Sequence, residues 1–127
     1  MSILDFVMVG SNDYKKSSEL YDAAFEPLNI KKILTTEKYI GYSHSDKPDE
    51  VMFYITSPVN GKPATYGNGT QITLLADSKE AVDKFYEVAI SKGATDEGAP
   101  GVRKDGNYYG YIRDLDENKI AAKSILK

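Results

Sequence analysis

The chain has 127 residues, 41% of them hydrophobic and 28% charged, which is the material of one globular domain and excludes both a disordered chain and a second full-size domain. Sixteen lysines and arginines stand against nineteen aspartates and glutamates, so the net charge of −3 leaves no broad basic surface for nucleic acid. Cysteine is absent, which removes disulfides, thiolate metal ligands, iron–sulfur clusters and cysteine nucleophiles together.

The opening MSILDFVMV carries Asp5 and no basic segment, and no apolar run approaches ~18 residues. Neither a signal peptide nor a membrane span is expected, and the expected compartment is the cytoplasm. Residues 3–9 are apolar and rich in β-branched side chains, and Gly10-Ser11-Asn12-Asp13 then supplies turn and N-cap chemistry, a strand leading into a helix. Tyr14, Tyr21, Ala24, Phe25 and Leu28 form one stripe of that amphipathic helix, which Pro27 closes. Three extended segments follow at 30–35, 39–43 and 51–56. The stretch 58–69 holds Pro58, Gly61, Pro63, Gly67 and Gly69 and reads as a connector between two halves, 1–57 and 70–127, of a single domain spanning 1–127. Residues 71–76 read as a strand, and Asp77 with Glu80 as a capping box for a helix that carries Ala81, Phe85, Val88 and Ala89 on one face and stops at Gly93. A weakly marked strand lies within 95–103, and 107–113 with 119–125 form a hairpin.

The two halves repeat at an offset of 65: Leu20-Tyr21-Asp22 corresponds to Phe85-Tyr86-Glu87, Ala24 to Ala89, and Val7 and Val9 to Ile72 and Leu74. Side chains alternate along a strand, so each strand has a face under its helix and a face turned away. Val7, Val9, Val51, Phe53, Ile55, Ile72, Leu74, Ile112 and Ile120 form the aliphatic set that suits the core. The opposite set mixes aromatic, soft and polar groups: Phe6, Met8, Met52, Tyr54, Thr56, Gln71, Thr73, Tyr109, Tyr111, Arg113, Ala121 and Lys123. Such a mixture suits a small-molecule cavity, and equally a half-solvated sheet face or a dimer surface.

Several segments in the right order resemble the vicinal oxygen chelate superfamily, which includes glyoxalase I, bleomycin resistance proteins and extradiol dioxygenases. They are Ile3-Leu4-Asp5-Phe6-Val7, the helix segment Ser18-Glu19-Leu20-Tyr21-Asp22-Ala23-Ala24-Phe25, Gly67-Asn68-Gly69-Thr70-Gln71-Ile72, Glu97-Gly98-Ala99-Pro100-Gly101-Val102-Arg103, and the closing hairpin from Tyr108 to Ile120. The resemblance implies an α+β fold of two tandem βαβββ modules whose curled mixed sheets surround a shared cavity, with a divalent metal held by one residue from each of four strands. At the position of the family's first histidine this chain has Phe6, at the second-half histidine Gln71, and at the last glutamate Ala121; the repeat adds Thr56 as the fourth position.

Phenyl, hydroxyl, amide and methyl groups make no competent donor set for a first-row metal, so no metal and no cofactor are expected. The lone histidine, His44, lies in a charged loop. Asp13, Asp77, Asp114 and Asp116 fall where caps and turns want them, Arg113 suits a local salt bridge, and Lys123 or Arg103 could meet an anion. The reading is a glyoxalase-like protein that binds a small organic molecule without the family's metal chemistry, as a homodimer, with no membrane and no nucleic acid as partner and no catalytic residue assigned. The alternative is a lactoylglutathione lyase-like or dioxygenase-like enzyme with a non-standard metal site or metal-free chemistry through Tyr54, Tyr109 or Lys123.

Overall fold

The computed structural model describes residues 3–126, so the ends of the expected 1–127 domain, residues 1, 2 and 127, lie outside the described residues. The first half runs β1 (Val7–Gly10), α1 (Tyr14–Phe25), a 3-10 turn (Glu26–Leu28), β2 (Ile30–Thr35), β3 (Tyr39–His44) and β4 (Phe53–Thr56). The second runs β5 (Gln71–Leu75), α2 (Lys79–Ser91), β6 (Thr95–Val102), β7 (Tyr108–Arg113) and β8 (Lys119–Ser124). Each half is a βαβββ module with its own four-stranded mixed sheet, ordered β1-β4-β3-β2 and β5-β8-β7-β6. In both, the first strand lies parallel to the last and the remaining pairs are antiparallel.

Local chemistry sets the helix ends. The Asp13 carboxylate accepts from the Lys16 N–H at 3.1 Å and starts α1. Pro27 falls in the 3-10 turn, and Asn29 leaves it with a left-handed φ of 61°, a conformation asparagine tolerates. α2 is capped by Ser78, whose hydroxyl accepts from the Ala81 N–H at 3.1 Å, so the expected cap at Asp77 is corrected by one residue. Asp77 instead accepts from the Asn29 side chain at 2.9 Å, tying the start of the second module to the first.

The helices pack on the aliphatic sheet faces and on each other. Leu20, Tyr21, Phe25, Tyr42, Phe53, Ile55, Phe85, Ile112 and Ile120 are fully buried there. The rings of Phe25 and Phe53 meet nearly edge-on at 5.0 Å, so the first module's core is largely aromatic. The alternation holds within the strands and breaks just before β4. Val51, expected in the core, lies with both methyls 3.0 Å from the position a side chain would take at Gly41, on the face away from α1. Met52, expected on that outer face, packs against the core instead. The cause is that β4 begins only at Phe53, so the preceding residues do not keep the pleat that fixes parity.

The modules are joined at the β7–β8 turn. The Tyr21 hydroxyl donates to Asp114 at 2.6 Å, and the Asn118 side chain donates to the Gly10 carbonyl at 2.9 Å. Asp116 accepts from the Asn12 N–H at 2.8 Å and the Ser17 hydroxyl at 3.0 Å. Asp114 is buried, and that burial pushes its carboxyl above the ordinary range although Tyr21, Asn118 and two backbone N–H groups donate to it. Both aspartates do serve the turn, but they also hold one module to the other. The connector after β4 is clamped as well, since Asn12 and Ala64 exchange two hydrogen bonds of 3.2 and 2.7 Å.

Candidate functional site

On the second sheet, Tyr109 and Tyr111 stand two residues apart on β7 and face away from α2. Their rings are parallel to within 3°, with centroids 5.5 Å apart. They floor an open groove of about 480 Å³ that Gln71, Thr73, Arg103, Lys104, Asp105 and Lys123 complete. The Gln71 amide donates to the Thr73 hydroxyl at 2.9 Å. The Tyr109 hydroxyl donates to Asp105 at 2.6 Å, and the Lys123 ammonium sits 5.5 Å from the Tyr109 ring and 3.9 Å from the same carboxylate. The hydrogen bond from Tyr109 is the main cause that holds the Asp105 carboxyl below its usual range, and it raises the Tyr109 phenol in return. Ala121 pairs with Tyr111 across β7 and β8 and is fully buried.

The first sheet presents a different outer face. Phe6 meets Tyr54 edge-on at 4.9 Å, and Tyr39 meets Tyr54 at 5.6 Å. Phe6 is 45% exposed and Met8 49%. The Thr56 hydroxyl is committed to the Ser57 carbonyl at 2.8 Å. Of the residues expected at one site, the structure brings Gln71, Tyr109, Tyr111 and Lys123 into one groove with Ala121 beside them, and puts Phe6 and Tyr54 together on the other sheet. Met52 leaves the set altogether: it lines a separate groove of about 650 Å³ with Ile30 and Leu74.

The strand register also corrects the fourth metal position. β1 and β5 correspond at the offset of 65, as do the two helices, since Val7 matches Ile72 and Tyr14 matches Lys79. Met8 pairs with Tyr54 and Thr73 with Ala121, so the first-module counterpart of Ala121 is Tyr54, and Thr56 corresponds to Lys123. A single offset could not carry through because the second module's β6 is bulged twice and its hairpin differs in length. With Tyr54 in place of Thr56 the four positions still hold two aromatic rings, an amide and a methyl, which do not fit a divalent first-row metal. Among the described residues no three His, Cys, Asp or Glu side chains come close enough to hold one. His44 takes the Asp46 N–H on Nδ1 at 3.0 Å, in its loop. Arg113 forms the local salt bridge expected of it, to Glu97 at 2.9 Å.

Thr73 stands on the groove side as its place in the opposite set implies, whereas Lys119 lies outside that set although the parity that selects Ala121 also selects it. The seating of Arg103 had no such signal. Gly98 and Gly101 make it: a side chain at either would meet the Arg103 guanidinium at 3.2 and 2.8 Å.

Two halves with their helices on one side and aromatic and polar sheet faces on the other define a tandem βαβββ protein. Residues 3–122 match the Glyoxalase/Bleomycin resistance protein/Dioxygenase superfamily, and the chain belongs to it. It is 38% identical to a glyoxalase/bleomycin resistance protein from Albidiferax ferrireducens T118, covering 98% of this chain and 100% of that one with a TM-score of 0.89. A glyoxalase/bleomycin resistance protein/dioxygenase family enzyme from Burkholderia phytofirmans PsJN shares the fold at 20% identity and a TM-score of 0.75, over 98% of this chain and 100% of that one. A lactoylglutathione lyase from Agrobacterium tumefaciens does so at 17% and 0.69, over 98% and 94%. No curated protein matches the chain. No helix among the described residues is long and apolar enough to cross a membrane.

Proposed function

We propose that this member of the superfamily binds a small planar organic molecule against Tyr109 and Tyr111, without a metal and without turning it over. The observation that carries the reading is the parallel tyrosine pair flooring an open groove with polar groups at its edge. One feature favours binding over catalysis: the residues at the family's metal positions, Phe6, Tyr54, Gln71 and Ala121, carry no donor set. The same proposal includes a homodimer in the cytoplasm. Phe6 and Met8, exposed on the outer face of the first sheet, are the apolar surface a second copy would cover.

The test is mass spectrometry of whatever co-purifies, with elemental analysis of the same sample and calorimetric titration of planar aromatic probes. Binding to the wild type that weakens about fivefold in a folded Tyr111→Ala variant supports the reading. One tightly held Zn, Fe, Mn or Ni per chain, or turnover of a hemithioacetal or catechol, overturns it. A light-scattering mass near the 14.1 kDa of one chain removes the dimer.

A further inference from the structure

We infer that the molecule taken by the Tyr109–Tyr111 groove is an aromatic anion, an aryl carboxylate or aryl phosphate, whose charged group is received by Arg103 and Lys119. This rests on the reading of the groove as a binding site and narrows it to a chemical class.

The local charge runs against the whole. The chain carries −3, yet the outer face of the second sheet gathers Arg103, Arg113, Lys119 and Lys123 around its tyrosines. Glu97 and Asp105 answer Arg113 and Lys123. Arg103 and Lys119 form no ion pair among the described residues, and both reach the Tyr111 ring, at 5.3 and 5.2 Å from its centroid. Lys119 stands directly across from Arg113 in the β7–β8 ladder, where the Glu97 carboxylate is already taken up by the arginine and leaves the lysine without an ion-pair partner among the described residues.

Arg103 is also held in place rather than left to solvent. Its guanidinium lies against Gly98 and Gly101, where a Cβ would crowd it at 3.2 Å and collide with it at 2.8 Å, and it donates to the Ala99 carbonyl at 2.7 Å. Gly98 has a φ of 153° and sits opposite Tyr111 at a bulge, so glycine there serves both the backbone and the arginine. One donor is used in this anchoring, and a guanidinium has others in a rigid fork suited to carboxylate or phosphate. A ring stacked on the tyrosine pair brings a substituent at its edge toward these two cations. The outer face of the first sheet, with Phe6, Met8, Tyr39 and Tyr54, offers aromatic and apolar contact, and among the described residues no cation lies over those rings.

The experiment uses three probes of one shape on the full chain: 2-naphthoate, 2-naphthamide and 2-naphthylmethylammonium, titrated calorimetrically at low salt. The naphthoate is expected to bind about tenfold more tightly than the amide, with the ammonium weakest. Raising salt from about 0.01 M to about 1 M removes most of that difference and leaves the amide unchanged. The Arg103→Met/Lys119→Met double variant, checked for folding by circular dichroism, brings naphthoate down to the amide. Equal binding of naphthoate and amide, tighter binding of the ammonium, or a preference for naphthoate that survives high salt and the double variant overturns the anion assignment and leaves the groove as a binding site. Failure of all three probes to bind takes the binding reading down with it.

Discussion

The two modules use the turn between their last two strands in different ways. In the second, residues 114–118 make a tight turn that docks on the first module through Tyr21, Ser17, Asn12 and Gly10. In the first, residues 45–52 make a longer charged loop beside the groove lined by Ile30, Met52 and Leu74. The outer sheet faces differ in the same sense: one aromatic and apolar, the other aromatic and cationic. A repeat of one βαβββ plan thus keeps its first strand and helix in step, while the hairpin and the outward side chains diverge. The reason is that the former are bound by the common core, whereas the latter meet only a partner, a ligand or solvent.

The largest effect expected from breaking the comparison is in that core. Phe53→Ala should cost about 3–5 kcal/mol, measured as a drop in the urea midpoint, because the ring is fully buried against Tyr21 and Phe25. Its strand neighbour Tyr54→Ala, on the outer face, should cost about 1 kcal/mol. Equal losses at the two would show that the sheet faces are assigned wrongly.

Next comes the docked turn. Asp114→Ala leaves the Tyr21 hydroxyl, the Asn118 amide and two backbone N–H groups without their acceptor, at a cost of about 3 kcal/mol. Asp46→Ala in the first module's loop, where the carboxylate is exposed, should change stability by less than about 0.5 kcal/mol. Urea unfolding of the two variants side by side measures the contrast.

The buried phenols set the alkaline limit. Burial is the largest cause that raises both Tyr21 and Tyr42 above the ordinary tyrosine value of 10.0, so above that pH the folded state keeps protons that the unfolded chain loses. Stability is therefore complete below about pH 10 and falls as pH rises beyond it, by about 1.4 kcal/mol per pH unit for each phenol. Tyr42→Phe should lose some stability at neutral pH, since its hydroxyl donates to Asp22 at 2.9 Å, and should unfold less steeply in alkali. An unchanged alkaline slope in that variant would show that Tyr42 titrates normally in the fold.

The smallest effect concerns the binding face. Tyr111→Ala should weaken a planar ligand by about 1 kcal/mol, close to fivefold, while Tyr39→Ala on the first sheet should leave the affinity unchanged. Fluorescence titration with the naphthoate probe reads both, and a loss confined to Tyr39→Ala would move the site to the first module.

The βαβββ order, the limits of β2 and the alternation inside the strands are written in the sequence, because hydrophobic period, caps and turn residues are local properties. Phe53, Ile55 and Ile112 pointed inward from their spacing alone, and Tyr109 and Tyr111 outward. What lay beyond local chemistry needed the folded chain. The cap of α2 moved from Asp77 to Ser78 because Asn29, distant in sequence, takes the Asp77 carboxylate. Met52 turned inward and Val51 outward because β4 starts one residue after Met52, and a strand's start depends on its partner. The match of Ala121 with Tyr54, rather than Thr56, followed from ladder pairing that no constant offset contains. The seat of Arg103 on Gly98 and Gly101, and the role of Asp114 as a tie between modules, depend on atoms brought together from separate strands and from the other half of the chain. Periodicity records which side a residue faces, but only tertiary packing decides which residue meets it there.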